Sequence, residues 1–170
     1  LGIVIVAAGF LTRDIPVNKI VSNDFEESIV EVESTVSEST LAQCSGTARC
    51  ITGTVTSVID GDTIKVDGQS IRFALVDAPE LKYDGGQARD FVEELCPVGS
   101  TVVVDQDDNQ LVDKYGRILG VIYCNNLNLN KELLDSGLGD LYSAFCDQSE
   151  FSDDPWAIKH GCVENWKELK

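Results

Sequence analysis

Hydrophobic and polar positions divide the chain into two regimes. From Ile51 onward, apolar and β-branched residues come in short runs cut by turn residues, and Val55–Ile59, Thr63–Val66, Ser70–Leu75, Thr101–Asp105 and Ile118–Cys124 read as five strands. Asp67-Gly68, between the second and third runs, is a hairpin signal. Gln87–Leu95 predicts a helix with Ala88, Phe91, Val92 and Leu95 on one face. Asn128–Ser136 predicts a second helix, with Gly137 where a C-terminal cap belongs, and Glu150–His160 a third, ended by Gly161. Ahead of this region, Leu1–Leu11 is uninterrupted apolar or small. Val17, Val21, Phe25, Ile29, Val32 and Val36 then recur at intervals of 4, 4, 4, 3 and 4, which predicts an amphipathic helix over residues 17–41 with Pro16 near its start. A strand around Ile29–Val36 is the competing reading.

Five strands with interleaved helices predict an α+β fold that is mainly β: a five-stranded OB-fold-like β-barrel with about three helices, preceded by an N-terminal apolar and amphipathic helical stem. Residues 1–43 form the stem in this reading, and residues 44–170 the domain, with its core over 51–162. At 170 residues, with 43% apolar and 25% charged, the chain has the balance of one packed domain plus an appendage.

Charge narrows the function classes. A net −16, from 29 acidic against 13 basic residues, repels a polyanion at long range and excludes a tight, passive nucleic-acid binder. It permits an enzyme that holds such a substrate weakly, through a divalent cation and a few local arginines. Six cysteines without a Cys-x-x-Cys pair point to three disulfides and an oxidising compartment. Cys44 with Cys50, Cys96 with Cys124 and Cys146 with Cys162 is the nearest-neighbour pairing, one of 15 connectivities open to six cysteines. The chain has no methionine, so Leu1 is not read as an initiator. The apolar start covers about half a bilayer core as a helix. It reads either as the remainder of a signal peptide or signal anchor, with the amphipathic stretch as a stalk, or as the end of a subunit that self-assembles through residues 1–41 into a pilus-like filament. Each reading places the domain outside the cytoplasm, secreted or membrane-anchored at the cell surface.

Three segments put charge inside strand-like sequence, where it is costly unless paired, hydrated or at work. In Val58–Ile64, Asp60 and Asp62 flank Gly61 between two strands, which alone is ordinary turn chemistry. In Ile71–Glu80, strand alternation puts Arg72, Ala74 and Val76 on one face and Phe73, Leu75 and Asp77 on the other until Pro79 stops the ladder. Asp77 and Glu80 then lie on the loop leaving the strand, close enough to hold a hard cation. Asp113–Arg117 is a turn offering an arginine for phosphate and a tyrosine for stacking.

Taken together and in this order, the Asp60-Gly61-Asp62-Thr63 turn, the Arg72-x4-Asp77-x2-Glu80 strand and the Asp113-Lys114-Tyr115-Gly116-Arg117 turn resemble the staphylococcal nuclease (thermonuclease-like) family, from about Ile51 to Gly137 and more loosely to Cys162. The resemblance implies a calcium-dependent endonuclease acting on DNA and RNA, leaving 3′-phosphate ends. It implies calcium ligation by the carboxylates of Asp62 and Asp77 and the backbone carbonyl of Ala78. Glu80 would orient or deprotonate the attacking water, Arg72 and Arg117 would hold the scissile phosphate, and Lys114 and Tyr115 would lie beside the terminal phosphate of the bound nucleotide. Single-stranded DNA or RNA is the expected partner, bound weakly, and no nucleotide cofactor is expected.

This sequence departs from the family in places. Ala78 stands where threonine is frequent, the loop from Glu80 to Gln87 is short and carries Tyr83 and Gly85-Gly86, and Tyr142 is near the family's base-stacking tyrosine without being clearly in register. The family's familiar members are basic, unlike this chain. His160 reads as a helix-end residue, and Trp156 and Trp166 as packing residues. The alternatives are a structural subunit displaying a nuclease-like domain, active or inactive, and a binding-only OB module, which the charge disfavours.

Overall fold

The computed structural model describes residues 43–83 and 85–162. The stem predicted ahead of them, and Trp166, lie outside the described residues.

Strand β1 (Cys50–Asp60) is long because it serves two neighbours. Its first half pairs with β5 (Thr101–Gln106) and its second half with β2 (Thr63–Val66), both antiparallel, with register shifts near Val55 and Val58 that bend it. β3 (Gln69–Phe73) returns from β2 through the Asp67-Gly68 turn, and β6 (Ile118–Cys124) lies against β5. Parallel pairing of Ile71–Phe73 with Ile118–Gly120 closes the five strands into a barrel, so no member keeps a free edge. Short pieces add to it: β4 (Val76–Asp77) pairs with β8 (Asp140–Leu141), and β7 (Leu127–Asn128) extends β6. Inside, Val55, Ile64, Ile71, Phe73, Val104 and Ile122 are almost wholly buried, the inward half of each strand's alternation.

Helix α1 (Gly86–Leu95) packs Ala88 and Val92 on the barrel. Helix α2 (Leu129–Ser136) begins where the Asn128 side chain accepts the Lys131 N–H at 2.9 Å, and ends at Gly137. Its Asn130 is fully buried: Oδ1 accepts the Ile122 N–H, and Nδ2 donates to the carbonyls of Ala74 and Gly120. The third predicted helix is broken in two, a 3-10 turn over Glu150–Asp153 and then α3 (Pro155–His160). Proline disfavours helical geometry in the residue before it, and Asp154 is extended, with ψ 142°.

A second difference lies nearer the chemistry. β3 stops at Phe73, and Leu75 takes φ 59°, left-handed for a branched side chain. Ala74 N–H donates to Gly120 O and Tyr142 N–H to Leu75 O, so the turn is pinned from both sides. The two-residue alternation expected through Asp77 is therefore reset: Phe73, Ala74, Leu75 and Val76 are all buried and Asp77 emerges exposed.

Three disulfides join Cys44–Cys50, Cys96–Cys124 and Cys146–Cys162. The first closes a small ring at the head of β1, and two aspartates latch it. Asp105 accepts the Ser45 N–H and hydroxyl, and Asp108 accepts the N–H groups of Thr47 and Ala48 and the Thr47 hydroxyl. Those donors, Ala48 first, hold the Asp108 pKa below the ordinary 3.8. A depressed carboxylate pKa stabilises above the ordinary value and loses that contribution as pH falls through the folded one. The Thr47 and Ala48 amide resonances are accordingly expected to titrate together with a midpoint below 3.8, followed by NMR; a midpoint at or above it would show that the latch is not made in solution.

Candidate active site

Glycine at position 61 is required by close approach. A Cβ there would fall 2.5 Å from the Ala88 Cβ and 2.8 Å from the Ala78 Cβ, so the turn joining β1 to β2 can pack under α1 only without a side chain. That packing draws Asp62 inward, leaving it 5% exposed. Its Oδ2 accepts the Ala78 N–H at 2.8 Å and meets the Arg72 guanidinium; its Oδ1 accepts the Thr63 hydroxyl at 3.0 Å. Burial is the largest influence on Asp62 and raises its pKa to about 6, against the pull of Arg72 and the Ala78 N–H. It is therefore mostly ionised at neutral pH.

Arg72, on β3, spans two carboxylates. Nη2 donates to Asp77 Oδ1 at 3.1 Å, and Nη1 sits against Asp62. Nη1 is buried and, despite that proximity, has no aligned hydrogen-bond acceptor. Arg117 is placed by the turn before β6. Asp113 accepts the N–H groups of Tyr115 and Arg117 and the Arg117 Nε–H, the last at 2.6 Å. Arg117 Nη1 also donates to the Thr63 hydroxyl at 3.2 Å, so Thr63 connects the second arginine to Asp62.

Glu80 is exposed, on the loop that leaves β4. Its backbone carbonyl accepts the N–H groups of Tyr83 and Gly85. A Cβ on Gly85 would lie 1.9 Å from Pro79 O, so only glycine lets α1 start against this loop.

Asp62, Arg72, Asp77, Glu80, Lys114, Tyr115 and Arg117 all line one cleft of about 520 Å³, within the usual range of small-ligand sites. Ala78 borders it through its hydrogen bond to Asp62. Tyr142 and Phe145 line the same cleft as an edge-to-face pair with centroids 4.7 Å apart. The sequence places Tyr142 near the family's stacking tyrosine without fixing its register, and gives no role to Phe145, Thr63 or Asp113. The Asp113–Arg117 spacing within a glycine turn was the available signal for one of them. His160 takes no part: its Nε2 lies 2.6 Å from Asp135, which Lys159, His160 and Lys131 together hold far below the usual carboxylate range. Trp156 is a packing residue, 7% exposed.

Among the described residues, no three His, Cys, Asp or Glu side chains converge into a ready-made metal cage. What the cleft offers a cation is a pair of carboxylates, Asp62 and Asp77, both in contact with one guanidinium and so facing one space. Carboxylate oxygens are the kind of donor that calcium takes, its loose geometry letting carbonyls and waters complete a shell.

Residues 70–156 match the family described as staphylococcal nuclease homologue. An uncharacterized endonuclease of Escherichia coli is 38% identical over 101 residues, covering 56% of this chain and 63% of that protein. An uncharacterized protein of Methanocaldococcus jannaschii is 31% identical over 146 residues, covering 67% of this chain and 70% of that one. Endonuclease YncB of Bacillus subtilis is 29% identical over 110 residues, covering 59% and 52%. The chain thus spans under two thirds of the length of the Escherichia coli and Bacillus relatives.

Proposed function

The chain belongs to the staphylococcal nuclease homologue family, and on that premise we propose that it is an endonuclease that hydrolyses phosphodiester bonds of single-stranded DNA and RNA, with calcium, outside the cytoplasm. The observation that carries the reading is the convergence of two arginines, two aspartates and an exposed glutamate on one cleft.

Hydrolysis of a phosphodiester needs a positioned water, a base, and neutralisation of the charge that grows on the phosphoryl oxygens. Arg72 and Arg117 supply the neutralisation with planar donors that match phosphate oxygens, and they are held in advance by Asp77 and Asp113, so little reorganisation is left for the reaction. Glu80 takes the proton of the attacking water as its oxygen bonds to phosphorus; the P–O5′ bond breaks and the leaving 5′ oxygen takes a proton from solvent, giving a 3′-phosphate and a 5′-hydroxyl. Asp62 and Asp77, with the Ala78 carbonyl, would hold calcium, and the ion when bound polarises the phosphoryl oxygen. Tyr115, 72% exposed, has Lys114 Nζ 5.0 Å from its ring centroid and offers a face and a charge to the nucleotide beside the scissile phosphate.

Three disulfides support an oxidising compartment, where such bonds persist. Among the described residues no helix is long and apolar enough to cross a membrane. Attachment to a membrane or self-association would rest on residues 1–41, which lie outside the described part. The test is a 5′-labelled single-stranded DNA incubated with the protein in calcium and in chelator. Fragments are expected in calcium alone, refractory to 3′ extension until a phosphatase has acted. Cutting that persists in chelator would remove the cation from the reading, and no cutting by folded protein in calcium would remove the nuclease.

A further inference from the structure

The sequence repeats one dipeptide, once in the lining of the cleft and once just past Glu80, which also lines it. Lys114-Tyr115 belongs to the turn that places Arg117; Lys82-Tyr83 belongs to the 3-10 turn Leu81–Tyr83, which starts one residue after Glu80. The two are built alike. Tyr83 is 68% exposed and Tyr115 72%, and each ring carries its neighbouring lysine, with Nζ 4.7 Å and 5.0 Å from the centroid. The Tyr83 N–H donates to Glu80 O at 2.7 Å, so the turn is tied to the backbone of the proposed general base.

Charge makes the pattern informative. In a chain of net −16, most described cations are consumed by carboxylates; among the described residues, Arg49, Lys65, Lys82 and Lys114 have none in ion-pair reach. Two of those four are the lysines lying on exposed tyrosines, Lys114 in the lining of the cleft and Lys82 two residues past Glu80, which lines it. An exposed ring with an uncompensated cation beside it presents a base with a stacking face and its flanking phosphate with a counter-charge. With long-range attraction unavailable, affinity for a polyanion has to come from such local pairs.

Resting on the nuclease reading, we propose that Lys82-Tyr83 is a second nucleotide platform: it stacks a base of the single-stranded substrate beyond the nucleotide being cut, on the Glu80 side of the cleft. Longer oligonucleotides then bind better than short ones, because only they reach it.

Binding of end-labelled oligothymidylates of two and eight nucleotides, read by fluorescence anisotropy in calcium, tests this with the full chain carrying Glu80→Gln to prevent cutting. Adding Tyr83→Ala is expected to weaken binding of the octamer roughly 5- to 150-fold, the worth of one stacked base, and to erase most of the advantage of octamer over dimer. Tyr83→Phe is expected to restore it, and Lys82→Gln to flatten the dependence of log Kd on log salt by about 0.7, one single-strand phosphate contact. An equal loss on both lengths, or none on either, overturns the platform. Cleavage by the wild type with octamer binding unmoved by Tyr83→Ala overturns the platform and leaves the nuclease. Binding that depends on Tyr83 without wild-type cleavage does the reverse, and no binding at all overturns both.

Discussion

Glu80→Gln is expected to lower kcat on single-stranded DNA by about 10²–10⁴-fold while changing KM little, since the substitution keeps shape and removes only the ability to take a proton. Glu80 suits this experiment because its side chain is exposed, and surface changes of that kind usually alter stability by less than about 0.5 kcal/mol. The loss can then be assigned to chemistry. Arg72→Ala would be harder to interpret. It strips the counter-charge from Asp62, which is 5% exposed, and breaking a buried pair costs about 3–5 kcal/mol, so lost activity and lost fold would arrive together. A Glu80→Gln protein that retains more than a tenth of wild-type kcat, with unfolding unchanged, would remove Glu80 from the role of base.

Asn130→Ala is expected to cost about 3–5 kcal/mol of stability, a large part of the 5–15 kcal/mol typical of a domain. Asn130 is wholly buried, and one side chain satisfies three backbone groups on two elements, the N–H of Ile122 and the carbonyls of Ala74 and Gly120. Alanine removes those partners from groups that a wholly buried side chain had satisfied. For a domain of this size the melting temperature should fall by about 12–20 °C, measured by circular dichroism or calorimetry. A decrease under about 1.5 kcal/mol would mean that the barrel relaxes around the gap. The substitution also loosens the Ala74–Leu75 turn that leads into Asp77, so a second consequence is expected in the site even where the protein stays folded.

Much of the barrel could be read from the chain because short β-rich runs are cut by turn residues such as Asp67-Gly68. The run from Ser70 to Leu75 shows where that logic stops. Its residues remain β-like in type, but Gly120, Asn130 and Tyr142, all distant in sequence, bind the backbone at 74 and 75 and turn it into left-handed geometry that no propensity anticipates. The break before Pro155 is legible locally, because proline disfavours helical geometry in the residue before it. In the cleft, the charged residues stood out because they interrupt strand-like sequence. Thr63 and Asp113 stand within those motifs, but their part in holding Arg117 does not show until its guanidinium is seen resting on each. Asn130 gave no sign at all: an asparagine inside a helix becomes meaningful only when the helix is packed on the strand it bonds.

The ring at the head of β1 also decides how tension enters the domain. A pull on the chain from residue 43 reaches Cys44 and crosses directly to Cys50, so residues 45–49 carry no load while the disulfide is closed. Their grip on Asp105 and Asp108 is shielded, and the strain passes to β1, whose first half is bonded to β5 and second half to β2. Reduction would reverse that order. The freed segment 45–49 would then carry the load, and its bonds to Asp105 and Asp108 would be the first it meets.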